Sequence, residues 1–308
     1  MPMKGLVLKS TGSWYNVKTE SGETVACKIK GLLRLKDSKG TNPVAIGDWV
    51  EYELISNDTG QINDIYDRKN YIIRKSSNLS RQYHIMAANI DQAILMITLA
   101  KPETPTEFID RFLATAEAYS ILTHLVFNKI DLHNEPLNCQ LEQWISVYSA
   151  IGYPCYKISV SNRTGIDGIK QLLLHKVTFV SGNSGVGKTS MINLIEPGLN
   201  LKVDVISDYH QKGKHTTTFY EMFELSMGGF IIDSPGIKGF GVVDMKRDEI
   251  FHFFREIFKI SNECQFNNCL HINEPGCAVK KNVENRNIAP SRYHSYLSMV
   301  QEDGWKYR

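Results

Sequence analysis

The residues Gly182-Asn183-Ser184-Gly185-Val186-Gly187-Lys188-Thr189 have the types and spacing of a phosphate-binding loop. Its glycines let backbone N–H groups turn toward a β-phosphate. Lys188 adds a point charge for the β and γ oxygens, and the Thr189 hydroxyl suits Mg²⁺. Ser190 follows directly and is counted with the nucleotide-binding residues. Such a loop does not choose between ATP and GTP. Asn128-Lys129-Ile130-Asp131 does, because the Asp131 carboxylate can accept two hydrogen bonds from the ring N–H and amino group of guanine. Adenine has no such donor pair and would leave the carboxylate unpaired. Asn128 and the stem of Lys129 can brace the loop and cover the base.

Two further segments complete the set. In Asp233-Ser234-Pro235-Gly236, Asp233 is expected to reach Mg²⁺ through water, and the Gly236 N–H to meet a γ-phosphate. One threonine of Thr216-Thr217-Thr218, with Thr217 the expected one, would complete the Mg²⁺ shell; the triplet also reads as the start of a strand. Ser159-Val160-Ser161 follows a strand and could touch the base with backbone N–H groups. A separate cluster, Cys264, Cys269, His271 and Cys277, supplies three thiolates and one imidazole. That is the donor count of a closed, structural Zn²⁺ site, one ion per chain, with no position left for water. A buried or redox-active cysteine group is the competing reading. Cys27, Cys139 and Cys155 lack neighbouring ligands and read as core thiols; His252 and His294 read as surface or packing histidines.

The elements that must position these residues follow from periodicity. Residues 5–10, 14–19, 24–29 and 48–55, and a run from Gln61, read as short strands separated by turn signals. They predict a small β-barrel over 1–70, an OB-fold in preference to an SH3-like barrel. Strand and helix patterns alternate from 71 to 240. Strands are predicted at 92–99, 122–127, 155–160 and 177–181, and helices at 107–119, 141–150, 166–174 and from Lys188. Alternation of this kind predicts a mainly parallel sheet covered on both faces. Segments 220–225 and 230–232 read as a hairpin ending at Asp233. Residues 241–308 read as a helical zinc-binding module, with helices at 245–260 and 291–300. The fold class is thus multidomain α/β: barrel, P-loop nucleotide domain, helical metal module.

The order Asn-Lys-x-Asp, phosphate loop, threonine triplet, Asp-x-Pro-Gly is rotated relative to ordinary GTPases and resembles the circularly permuted ones. With the barrel before and the Cys/His cluster after, the whole chain resembles the family of ribosome small-subunit-dependent GTPases A (RsgA). The resemblance implies a slow GTPase that binds the small (30S) ribosomal subunit and its 16S rRNA late in assembly, is stimulated by it and leaves after hydrolysis. It implies GTP with Mg²⁺, and no membrane. Ser159-Val160-Ser161 departs from the Ser-Ala-Lys common in GTPases generally. After Gly236 stands Ile237, which cannot orient water as glutamine does elsewhere. The nearest replacement is His215, and the resemblance points to the same histidine.

Composition bounds the rest. A chain of 308 residues, 42% hydrophobic and 22% charged, is ordinary for a soluble protein of two or three domains. The net charge of +2 alone does not argue for nucleic acid. Lys28, Lys30, Arg34, Lys36 and Lys39, with Trp14 and Tyr15 for stacking, are RNA-contact candidates; a solvated face with core aromatics is the plain alternative. No apolar run approaches the ~20 residues of a membrane span, and no signal peptide is visible, so a cytoplasmic location is expected; a monomer is expected, although the sequence does not establish oligomeric state. A small-molecule kinase or ATPase conflicts with Asn128–Asp131. A non-catalytic, nucleotide-switched RNA scaffold stays open because of Ile237.

Overall fold

The computed structural model describes residues 2–31, 43–56, 58–75, 83–201, 221–233 and 245–301. Arg34, Lys36, Lys39, His215, Thr216–Thr218, Gly236 and Ile237 lie outside them. β1 (Met3–Ser10), β2 (Tyr15–Thr19), β3 (Thr24–Ile29), β4 (Trp49–Leu54) and β5 (Thr59–Ile65) form a barrel. Its order is β1-β2-β3-β5-β4, and β4 pairs back onto β1 to close it. Only the β3–β5 seam is parallel. Alternation sends Val7, Tyr15, Val17, Cys27, Val50, Tyr52 and Ile62 inward as one core. Tyr15 is therefore a core residue, not a stacking surface. Trp14 is exposed, with the Lys28 ammonium 4.4 Å above its ring.

β6 (Tyr71–Lys75) and β7 (Tyr83–Ala88) form a two-stranded sheet of their own. β8 (Gln92–Ile97) opens the nucleotide domain, followed by α1 (Thr106–Ala118), β9 (Leu122–Phe127), α2 (Glu135–Ile151), β10 (Cys155–Lys157), α3 (Ile166–Leu173), β11 (Val177–Gly182) and α4 (Lys188–Ile195). β12 (Glu221–Glu224) and β13 (Phe230–Asp233) complete it. β10, β9, β8, β11 and β13 run parallel in that order, and β12 is antiparallel at the end. Alternate residues of β8 face opposite layers. Ala93, Leu95 and Ile97 join Phe112, Leu113 and Leu141 of α1 and α2, while Ile94 and Met96 join Ile169, Met191 and Ile192 of α3 and α4. Helices thus cover both faces, as a parallel sheet requires.

The barrel sits against this domain through β1, whose outward Leu6 and Leu8 belong to the same apolar cluster as Met222 and Ile232. β1 also pairs with β12, Lys9 opposite Glu221. At the other end, the predicted helix 245–260 is broken. A 3₁₀ turn covers Ile250–Phe253, Phe254 is extended and fully buried, and α5 (Arg255–Ser261) starts after it. α6 (Ala278–Glu284) and α7 (Pro290–Gln301) follow. No helix among the described residues is long and apolar enough to cross a membrane.

The C-terminal module is locked to α1 by Arg292, a buried cation on α7. Its Nη1 donates to Asp110 Oδ1 at 2.8 Å, and its Nε and Nη2 donate to Glu256 at 2.7 and 3.1 Å. Tyr148 of α2 donates to the same Asp110 oxygen at 2.9 Å, and Phe254 lies 4.6 Å beneath the guanidinium. Removing one member of such a network strands a buried charge. Arg292→Ala is expected to destabilise the junction by about 3–5 kcal/mol, read as a shift of the earliest urea-unfolding transition to lower denaturant.

Candidate functional site

Four loops meet at the carboxyl edge of the parallel sheet, where ligands of α/β folds bind. The phosphate loop leaves β11, and β11 pairs with β8 as far as Gly182 opposite Met96. Asn128 leaves β9 on the far side of β8. Its buried side chain spans the gap, with Nδ2 donating to Val186 O at 2.8 Å and Oδ1 accepting from Val160 N at 3.2 Å. One amide thereby ties the base-reading loop, the phosphate loop and the Ser159–Ser161 loop together. Lys129, in the left-handed region at φ 65°, donates from Nζ to Gly185 O at 2.8 Å and to Lys101 O.

Gly187 sits at φ +101°, and a Cβ there would meet Asn128 Nδ2 at 2.5 Å. A Cβ on Gly182, at φ +146°, would meet Met96 O at 2.5 Å. Both glycines serve backbone conformation and close approach together. Lys188 opens α4 and points back into the loop, its Nζ donating to Gly182 O at 2.7 Å and Asn183 O at 2.9 Å. Burial pulls its pKa down, opposed by the Asp233 charge. Burial pushes Asp233 up, opposed by Lys188. Asp233 Oδ1 and Ser181 Oγ are buried without a hydrogen-bond partner among the described residues. With Thr189 nearby in sequence, these hard oxygens fit a divalent cation and phosphate better than an empty turn.

Ser159 carries more than the backbone contact foreseen for it. Its hydroxyl donates to Asp131 Oδ1 at 2.5 Å and accepts from Asn162 N at 3.1 Å, so it aims the carboxylate. The predicted strand 155–160 ends early, at Lys157, because Ser159 turns back to bridge Thr164. Asn183 and Gly185 contribute the carbonyls already named.

The cysteine cluster comes together as its spacing predicts. The ligand atoms of Cys264, Cys269, His271 and Cys277 lie within 4.8 Å of one another. Cys264 Sγ and Cys277 Sγ stand 3.5 and 3.6 Å from His271 Nδ1 and 4.0 Å from each other. A tetrahedral zinc ion requires S···N edges of about 3.5 Å and S···S edges of about 3.8 Å, so the four side chains fit it. Glu274 staples the loop by accepting from Leu270, Ile272 and Asn273 N–H groups at 2.9, 2.8 and 3.0 Å. Burial raises its pKa, but those N–H groups outweigh it and hold the carboxyl below its ordinary value. Burial pushes the Cys269 and Cys277 thiols up, so metal binding must displace protons. Cys27 is buried in the barrel as expected, whereas Cys139 is exposed on α2 and Cys155 is half-buried.

Comparison with known proteins agrees with this geometry. The RsgA GTPase family model matches residues 65–243, and the RsgA N-terminal domain model matches residues 4–62. The chain belongs to the RsgA GTPase family. It is 56% identical to small ribosomal subunit biogenesis GTPase RsgA 2 of Bacteroides thetaiotaomicron over 99% of both chains. It is 52% identical to small ribosomal subunit biogenesis GTPase RsgA of Flavobacterium psychrophilum, over 99% of this chain and 95% of that one. The crystal structure of YjeQ from Thermotoga maritima superposes with a TM-score of 0.80 at 34% identity, covering 98% of each chain. That of YloQ, a circularly permuted GTPase, gives 0.76 at 27%, covering 98% and 95%. As an RsgA GTPase, the chain hydrolyses GTP.

Two outcomes test the site. Gly187→Ala forces a left-handed alanine against Asn128, and is expected to weaken nucleotide binding at least about 10-fold, measured with a fluorescent GDP analogue. Cys277→Ser is expected to lower bound zinc below one per chain by atomic absorption and to speed amide exchange across residues 262–289; acidification is expected to release the metal in the wild type, since protons compete for the thiolates.

Proposed function

We propose that this GTPase acts in biogenesis of the small ribosomal subunit, coupling slow, subunit-stimulated hydrolysis to late maturation and to its own release. The observation that carries the reading is the end-to-end match to small ribosomal subunit biogenesis GTPases, together with the Asn128 junction that brings base and phosphate loops into one site. The barrel (1–70), nucleotide domain (71–240) and zinc module (241–308) act as a cytoplasmic monomer on the subunit. The barrel's Trp14 and Lys28 pair, with Lys30, offers 16S rRNA a stacking ring beside cations.

In this reading Asp131, aimed by Ser159, accepts the two guanine donors, and Ser159–Ser161 close over the base. The amides of 182–190 hold the phosphates. Lys188 trades its bonds to the Gly182 and Asn183 carbonyls for β and γ oxygens. Thr189 and Thr217, with Asp233 through water, would hold Mg²⁺, which would neutralise charge on those oxygens. Gly236 meets the γ-phosphate. His215 orients the attacking water, since Ile237 has no polar atom with which to do so. Three thiolates and one imidazole would leave a zinc ion no open position, so its role would be structural.

Two measurements test this. Asp131→Asn offers guanine one acceptor where the carboxylate offered two, and is expected to cost about 10²-fold or more in GTP affinity while admitting xanthosine triphosphate; unchanged GTP binding by calorimetry would reject the base assignment. Steady-state turnover is expected to rise when purified small subunits are added. His215→Ala is expected to abolish that rise with GTP affinity nearly intact, and persistent stimulation would refute the histidine's role.

A further inference from the structure

β1 divides its side chains between two modules. Val7 points into the barrel core, while Leu6 and Leu8 point into the nucleotide domain. A register shift in the β1–β2 pairing falls between Val7 and Lys9, and the strand stays paired with β2 beyond it. Lys9 then pairs with Glu221 of β12, and Glu221 is in turn opposite Asp233 of β13. Lys9, Glu221 and Asp233 therefore form one row across three strands, with Lys9 Nζ 2.9 Å from Glu221 Oε2. At the other end of β12, the Lys18 ammonium bonds the Glu224 carboxylate and lies 5.6 Å from the Phe230 ring, the residue opposite Glu224. A four-residue strand is gripped at both ends by barrel cations.

We infer that Lys9 and Lys18 are positioning residues for stimulated hydrolysis, clamping β12 so that docking of the barrel sets the register of the γ-phosphate side of the site. β12 follows, in the chain, the segment that carries His215 and Thr217, and it pairs with the strand that ends in Asp233. Both pairs are partly exposed, so they contribute little to stability. Their leverage is geometric, because a misplacement of about 1 Å at a reacting group can cost about 10²-fold in rate. The inference rests on the reading above that the small subunit stimulates turnover.

The test is GTP turnover by the full chain, titrated with small subunits. Lys9→Glu/Lys18→Glu is expected to lower the stimulated kcat about 10-fold, with the unstimulated rate and the half-saturating subunit concentration unchanged. Adding Glu221→Lys/Glu224→Lys, which reverses both pairs, is expected to restore it; Lys9→Met/Lys18→Met checks that loss of the pairs suffices without repulsion. A stimulated kcat unaffected by the first variant overturns the clamp. So does a rise in half-saturating concentration that the reversed pairs fail to rescue, which would make the lysines phosphate contacts. A wild type that small subunits do not stimulate defeats the functional reading itself, and the clamp with it.

Discussion

A permuted chain can build an undivided nucleotide site only if its loops are joined by something other than sequence order. Here the joint is the Asn128 carboxamide, buried between the Val186 carbonyl and the Val160 amide. The buried Val186 carbonyl would otherwise be left without that partner, which costs about 1–3 kcal/mol. Its close approach is possible because Gly187 carries no Cβ. The parallel order β9-β8-β11 sets the distance it has to span. Permutation leaves that order untouched, because strand pairing depends on neighbours in space and not on which strand was made first.

The same logic governs how the modules meet. The barrel is not a bead on a linker: Leu6 and Leu8 extend the apolar cluster of the sheet, and β1 continues the sheet through β12. Asp48, buried beneath Val7, is held by Arg68 at 2.6 Å on the chain leading away from the barrel. On the opposite side α1 is gripped twice by the C-terminal module, at Asp110 by Arg292 and at Glu117 by Arg255. The buried Arg292–Asp110 pair contributes orientation more than net stability, and the Arg255–Glu117 pair is partly exposed. The consequence is a nucleotide domain held from both flanks, with its Asp233 edge next to the barrel.

Much of this was legible from residue order. The strands 24–29 and 122–127 were bounded correctly by their apolar pattern, and the cysteine spacing predicted the cluster it forms. The hairpin β6–β7 was not among the predicted strands, because Ile72 finds its apolar partners in the cluster of the neighbouring sheet, far along the chain. α6 was missed since seven residues following a metal loop carry too little periodicity to signal a helix. The helix through 245–260 was overextended because Phe254 continues the apolar repeat, yet it is spent on packing beneath Arg292 in an extended conformation. Tyr15 and Trp14 are adjacent, and the strand's alternation alone sends one inside and leaves the other out.

Residue types and their order named the candidate chemistry: glycines and a lysine suited to phosphates, a carboxylate suited to guanine, three sulfurs and an imidazole suited to zinc. Those assignments are local, since each motif holds its donors within one loop. What only the tertiary structure decided is which loops face one another, that Ser159 aims Asp131, and that a barrel lysine shares a row with Asp233. Such relations depend on strand register and on burial across long stretches of chain, and no short-range pattern in the sequence encodes them.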